Sequence, residues 1–248
     1  MKEPLDRSQA EAAHFDRLVE STAEIWWGSV TAAGKERLRR RARLLAAQLA
    51  SPADPRVLEF GCGVGAFSLP LLDARPALRL VGIDVSVKSV ALAVERMRGF
   101  ANARFEVANA LSLPYPADLF DAVVGNSVLH HLPPKPAIAE AQRVLKPGGL
   151  FWFCEPNMLN PQIAVEKNIK PIGRWLQNSP DETAFFRWSL ASELRDAGFT
   201  QVEVRPFDFL HPIVPAPLVR SIDRLGLLLE RTPLLREFSG SLLITARK

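Results

Sequence analysis

Cysteine is scarce: Cys62 and Cys154 are the only two in 248 residues. Two thiols cannot build a disulfide framework, and each lies in an apolar segment that reads as buried. No Cys/His spacing resembles a zinc ligand set, so no metal is expected. Long hydrophobic runs are missing as well, and no stretch approaches the ~20 apolar residues that span a bilayer. The opening residues MKEPLDRSQAEAAHF are polar and lack the apolar core of a secretory signal, which makes the cytoplasm the expected location. Neither sign of charge dominates: 31 Lys and Arg face 27 Asp and Glu, a net charge of +4. No internal repeat or low-complexity tract is visible.

The bulk composition, 48% hydrophobic and 23% charged, is that of a globular protein long enough for one α/β domain with a cap. The mild basic excess is clustered. Arg37, Arg39, Arg40, Arg41 and Arg43 crowd one stretch, and Arg220, Arg224, Arg231 and Arg236 another. Such clusters can attract nucleic acid, anionic lipid or an acidic substrate, but a solvated helix face is the commoner outcome and the one expected here.

Residues 8 to 50 read as helical, broken near Gly28 and Gly34, and form an N-terminal helical cap over 1–50. From 51 to 248 strands alternate with helices. Strands are expected at 57–60, 78–83, 103–107, 121–125 and 150–154, with helices at 66–74, 86–99 and 137–145 between them. Near-continuous apolar strands in that alternation imply a parallel sheet covered on both faces. An insert over 156–188 is too long for a bare connector and reads as a cap or lid. Ser189 is the expected N-cap of a helix ending at Gly198. Strands follow at 201–207 and 241–246, separated by a helical insert over 208–236. The apolar residues Leu218, Ile222, Leu225 and Leu229 fall there at helical spacing. That stripe can lie on a membrane surface, though burial against the sheet is the expected outcome.

Chemistry enters at Glu59-Phe60-Gly61-Cys62-Gly63-Val64-Gly65, which follows a strand and precedes a helix. Glycines let the backbone turn tightly there and approach a ligand. Asp84 ends the next strand, about twenty residues on, where a carboxylate can take both ribose hydroxyls of a nucleoside. These two features fit NAD and S-adenosylmethionine equally well, with a dehydrogenase the outside alternative.

The blocks VLEFGCGVGAFSLPLL, VGIDVS, NALSLPYPADLFDAVVGNSVLHHL and EAQRVLKPGGLFWFCEPN resemble the class I S-adenosylmethionine-dependent methyltransferases. The similar group includes the ubiquinone/menaquinone-biosynthesis enzymes, and the likeness covers roughly 55–157. It implies a Rossmann-like fold: a seven-stranded, mostly parallel sheet with one antiparallel strand and helices on both faces. It also implies S-adenosyl-L-methionine as cofactor and S-adenosyl-L-homocysteine as product. By the same resemblance Glu59, Gly61, Cys62, Gly63 and Gly65 hold the methionyl part, and Asp84 takes the ribose with Val85 beside the adenine. Asn109 and Ala110 read the adenine edge, and Asn126 lies beneath the sulfonium end. The family usually has Asp where this chain has Asn109.

Methyl transfer from a sulfonium needs alignment and water exclusion rather than a nucleophilic side chain or metal. The candidates for a base or for acceptor positioning are His130 and His131, after the fourth expected strand. Trp26, Trp27, Glu155, Asn157 and Arg187 are expected to form the acceptor pocket, with His14, Asn160 and Trp188 nearby, whereas Tyr115 reads as packing. The expected activity is transfer to O, N or C of a small-molecule, lipid-linked or glycosyl acceptor. A nucleic-acid acceptor is disfavoured, because Asn126-Ser127-Val128-Leu129 is not the Asn/Asp-Pro-Pro-aromatic signature of adenine-N6 enzymes and no RNA-binding domain is appended. A catalytically silent, partner-binding protein of the same fold is the non-enzyme alternative.

Overall fold

The computed structural model describes residues 4–21, 29–49, 52–175, 179 and 182–248. Seven strands form one sheet in the order β3-β2-β1-β4-β5-β7-β6. These are β1 (Arg56–Phe60), β2 (Arg79–Asp84), β3 (Ala103–Val107), β4 (Phe120–Asn126), β5 (Leu145–Pro156), β6 (Thr200–Phe207) and β7 (Ser241–Arg247). The first five pair in parallel, and β7 runs antiparallel to both β5 and β6. The expected sheet and its single reversed strand are both present, with strand ends shifted by a residue or a few.

Side-chain alternation sorts the core into two layers, because successive strand residues point to opposite faces. Leu58, Val81, Phe151 and Phe153 pack on one face against α5 (Pro134–Val144) and α8 (Arg187–Asp196). Val57, Leu80 and Trp152 pack on the other, under α2 (Ala32–Gln48), α3 (Ser68–Ala74) and α4 (Val87–Arg96). β1 has β2 on one side and β4 on the other, so the connections diverge there. Their carboxyl ends splay apart at that switch point, where open α/β sheets bind ligands. Helix α1 (Pro4–Ser21) lies across this edge, its Asp16 accepting a hydrogen bond from Ser86 at 2.6 Å.

The insert after β5 is not structureless: it holds α6 (Pro161–Asn168) and α7 (Lys170–Trp175). Asn160 caps α6, its side chain accepting from the amides of Gln162 and Ile163. Ser189 is not the cap of α8, which begins two residues earlier with Phe186 at the cap position and no side-chain bond. An isolated bridge between Asn157 and Phe185 delivers the chain directly into the helix, and Leu190 N–H closes its first turn on Phe186 O. Gly198 stops α8 as expected, with φ +90°.

After β6 come α9 (Val219–Glu230) and the short α10 (Pro233–Arg236). Burial of the whole leucine stripe is overturned here. Val219 and Gly226 face the protein, Ile222 packs partly with Ala33 and Leu210, and Leu218 and Leu225 are exposed. Phe209 Cβ lies 3.2 Å from where a side chain at Gly226 would start, so α9 docks along a narrow seam.

Candidate functional site

A cavity of about 380 Å³ opens at the carboxyl ends of β1, β2 and β4, under α1 and α2. Glu59, Gly61, Cys62, Gly63, Asp84, Val85, Ala110, Asn126, His130 and His131 all line it, as does His14. Positions spread along the sequence from Glu59 to His131 are thereby gathered at one sheet edge. Gly65 stands behind the wall, turned at φ +81° against Met97. Asn109 is not among the lining residues. Its side-chain oxygen accepts from Leu111 N–H at 2.9 Å and its amide nitrogen donates to Ser8 at 3.2 Å, which leaves Ala108 and Ala110 at the wall.

Two glycines do different work in the loop. A Cβ at Gly61 would meet Val128 Cγ2 at 2.3 Å, so this residue lets β1 and the turn after β4 approach closely. A Cβ at Gly63 would meet nothing within 4 Å, and φ is +51°, so its bare backbone borders open cavity. Asp84 fixes the same loop by accepting from Gly63 N–H and Ser86 N–H, both at 2.9 Å. Each of its oxygens keeps a lone pair for a further donor. Ser86, not Asp84, is the side-chain cap of α4. Burial pushes Asp84 above its ordinary value, against the pull of those backbone donors. Glu59 is pushed up to about 8 by burial and the nearby charge of Asp84, although Ser68 donates to it at 2.6 Å. A loop with open backbone, a paired-acceptor carboxylate and a second buried acid awaiting a cationic or donor group all fit the nucleoside and amino-acid ends of S-adenosylmethionine.

Beyond Asn126 the cavity wall becomes a proton network. His130 Nδ1 lies 2.7 Å from Glu155 Oε2, and its Nε2 lies 3.4 Å from Glu182 Oε1. Burial alone would depress His130, but its bonds to Glu155 and Glu182 push it up to about 9. His131 moves the other way: burial and the adjacent His130 charge lower it, partly offset by Glu11. Glu11 Oε2 approaches His131 Nδ1 at 3.4 Å, and Ser179 Oγ lies 3.2 Å from the same nitrogen. Burial opposes ionisation of Glu182, yet His130, His131 and Lys167 hold it well below the usual carboxylate range. Ligand atoms of His130, His131 and Glu182 fall within 4.8 Å of one another, close enough for a cation. The Lys167 ammonium already rests on Glu182.

Three expected pocket residues do not line the cavity. Glu155 is buried behind it, accepting from the amides of Val128, Leu129 and His130, so it holds the turn rather than an acceptor. Asn157 spends its amide on the carbonyls of Glu237 and Ser239. Arg187 pairs with Glu237 at 2.8 Å. Trp188 is exposed and stacked on Phe186, and Tyr115 packs edge-on against Phe120 as expected. Trp26 and Trp27 lie outside the described residues.

The arginine cluster on α2 is not one solvated face. Arg39 and Arg43 are exposed near Glu36. Arg40 makes a two-pronged pair with Glu230. Arg37 and Arg41 turn into the cavity wall, and both reach Asp208 Oδ2 at 2.8 Å. Burial alone would raise Asp208, but the two guanidiniums hold it at about 2. Arg41 also donates to Asn126 Oδ1 at 2.7 Å, while its buried Nε has no partner among the described residues. The stripe Gly34, Leu38, Arg41, Leu45 at helical spacing was the available signal, with arginine standing where an apolar residue is expected. Nothing in the local sequence singled out Glu11 or Glu182.

A family profile described as a methyltransferase domain matches residues 57–149. The 2-methyl-6-phytyl-1,4-hydroquinone methyltransferase of Synechocystis sp. is 30% identical over 168 residues, covering 66% of this chain and 52% of that protein. The malonyl-[acyl-carrier protein] O-methyltransferase of Geobacter sulfurreducens is 31% identical, covering 81% of this chain and 76% of that protein. Among solved structures, the N-methyltransferase NodS from Bradyrhizobium japonicum in complex with S-adenosyl-l-homocysteine superposes with a TM-score of 0.63. Its sequence identity is 21%, over 96% of this chain and 97% of that one, and it supports the fold alone. The chain spans about half the length of several curated relatives it matches. With the glycine loop, Asp84 and the strand order in agreement, the chain belongs to the class I S-adenosylmethionine-dependent methyltransferases.

Proposed function

We propose that this protein transfers a methyl group to a nucleophilic oxygen, nitrogen or carbon of a small-molecule acceptor, with His131 as the base. The observation that carries this is the continuous wall running from the Gly61–Gly63 loop and Asp84, past Asn126, to His130 and His131. Bound S-adenosylmethionine supplies an electrophilic methyl carbon on a positively charged sulfur. Gly63 and Asp84, hydrogen-bonded to each other, would hold its nucleoside side, and Asn126, itself fixed by Arg41, would border the methyl group. The acceptor's electron pair forms the new bond to carbon as the carbon–sulfur bond breaks, and the acceptor's proton, where it carries one, passes to His131.

The two histidines divide the work. His130, raised to about 9, is already protonated at neutral pH and cannot accept a proton. His131, lowered by burial and by its neighbour, is neutral there and lines the cavity. Glu155 is a positioning residue for the pair. The acceptors named in the relatives, a phytyl hydroquinone and malonyl-[acyl-carrier protein], have little chemistry in common. A lipid-linked acceptor is the finer reading we favour, because the helical insert beside the cavity exposes leucines that a water-soluble acceptor has no need of.

Calorimetric titration with S-adenosylhomocysteine tests the cofactor assignment. Binding that is lost in Asp84→Ala and absent for NADH is expected. No binding to folded wild-type protein would move the silent, partner-binding alternative to the front.

A further inference from the structure

We propose that the outer face of α9 and α10 is a docking surface for an anionic lipid bilayer. α9 packs its apolar residues on the protein along Val219, Ile222 and Gly226, with Glu230 at its end held by Arg40, which leaves its outward half free. On that half Leu225 is 54% and Leu228 59% exposed, and beyond the helix Leu234 is 80% exposed. Arg220, Arg224 and Arg231 recur at i, i+4 and i+11, which places them in one row along the helix beside the leucines. None of the three makes an ion pair or side-chain hydrogen bond among the described residues.

The acids of the same segment are committed elsewhere. Glu230 is held by Arg40 and Glu237 by Arg187, and Asp223 is half-buried toward the inner side. The outward surface therefore combines apolar area with positive charge and little of the opposite sign. Isolated exposed leucines are ordinary, but a row of them beside an uncompensated arginine row is the pattern of a helix lying in a bilayer interface. There the leucines enter the acyl boundary while the arginines meet anionic headgroups. A second copy of this chain would bring more leucine to the contact but only more of the same cations, with no counter-charge. The face also adjoins the cavity: Pro212 lines the cavity, and the next residue, Ile213, is 81% exposed. No helix among the described residues is long and apolar enough to cross a membrane, so the contact would be in-plane.

The test is co-sedimentation of the full chain with vesicles of phosphatidylcholine alone and of phosphatidylcholine with roughly 30% phosphatidylglycerol. Binding is expected to the anionic vesicles and to weaken as salt shortens the screening length. Replacing Arg220, Arg224 and Arg231 together with Gln should reduce partitioning about 100-fold. The pair Leu225→Glu and Leu228→Glu should abolish it. Both variants should keep wild-type affinity for S-adenosylhomocysteine, which separates loss of docking from loss of fold. Failure of folded wild-type protein to bind anionic vesicles at low salt would overturn the proposal, as would variants that bind equally well. A concentration-dependent dimer that Leu228→Glu dissolves would assign the face to a second copy and overturn it too.

Discussion

His130 and Glu155 form a buried pair, Nδ1 to Oε2 at 2.7 Å, and the same carboxylate gathers three backbone amides of the turn that carries both histidines. One acid thus fixes the orientation of a ring and the path of the chain at the mouth of the cavity. Because the folded state raises His130 from 6.5 to about 9, its stabilising contribution is fully present below about pH 6.5 and is lost as pH rises through about 9. The shift corresponds to on the order of 3 kcal/mol, counted once for the whole network. Urea unfolding at pH 6.5 and pH 9.5 should show a less stable protein at the higher pH. Glu155→Gln should be destabilised at pH 6.5 by about 3 kcal/mol and should flatten this dependence. Equal pH slopes in wild type and variant would remove His130 as the titrating group.

His131 should behave differently from its neighbour. His131→Gln is expected to lower kcat about 100-fold or more for a hydroxyl acceptor, with affinity for S-adenosylhomocysteine changed less than about threefold. Since burial and His130 hold His131 below its ordinary value, the acid limb of the wild-type rate profile should fall below pH 6.5 and vanish in the variant. A variant that keeps full kcat and the same acid limb would show that the acceptor needs no base there.

Much of this site was legible before any coordinates. The glycine loop, Asp84 and Asn126 are local signals, since each sits at the end of an apolar strand and the parallel alternation sends all strand ends to one edge. What was not legible depends on contacts between distant positions. Arg41 finds Asp208 across 167 residues, so no window around 37–43 distinguishes this buried arginine from the exposed Arg39 and Arg43. Glu182 meets His130 by the fold of an irregular insert. Glu155 is expected just after the fifth strand and facing the acceptor, but it lies within β5, and its carboxylate is taken up by three backbone amides behind the cavity wall. The misplacement of the α8 cap has the same origin, because the Asn157–Phe185 bridge, not Ser189, sets where the helix starts.

The loop glycines offer a clean separation of fold from binding. Gly61→Ala must displace Val128 as well as accept φ +59°, so it should destabilise the protein by a few kcal/mol. Gly63→Ala meets no protein atom and should cost only about 1–2 kcal/mol of stability through its φ of +51°. Its methyl group projects into the space where the cofactor is expected, so affinity for S-adenosylhomocysteine should drop at least tenfold. Thermal melts alongside calorimetry check both halves, and a Gly63→Ala protein that binds normally would shift the cofactor away from this loop.

Arg41 carries the last prediction. Its bonds to Asn126, Asp208 and Ser241 use three of five donor hydrogens, and its buried Nε has no partner among the described residues. Arg37 and Arg41 share the single carboxylate of Asp208 as ion-pair partner, so the pair carries one positive charge more than that partner neutralises. A carboxylate is the natural complement, and the methionyl end of S-adenosylmethionine carries one that this charge could hold. Arg41→Lys keeps the charge but loses the planar fork and the Nε donor. One charged hydrogen bond is worth about 1.5–3 kcal/mol, so affinity for S-adenosylhomocysteine should fall about 10- to 100-fold. Affinity for 5′-methylthioadenosine, which lacks the amino-acid end, should stay within about twofold. Equal losses for both ligands would mean that Arg41 acts by holding the shape of the cavity. No loss for either would free the arginine pair for an anionic group on the acceptor, which a phosphate- or carboxylate-bearing competitor would then reveal.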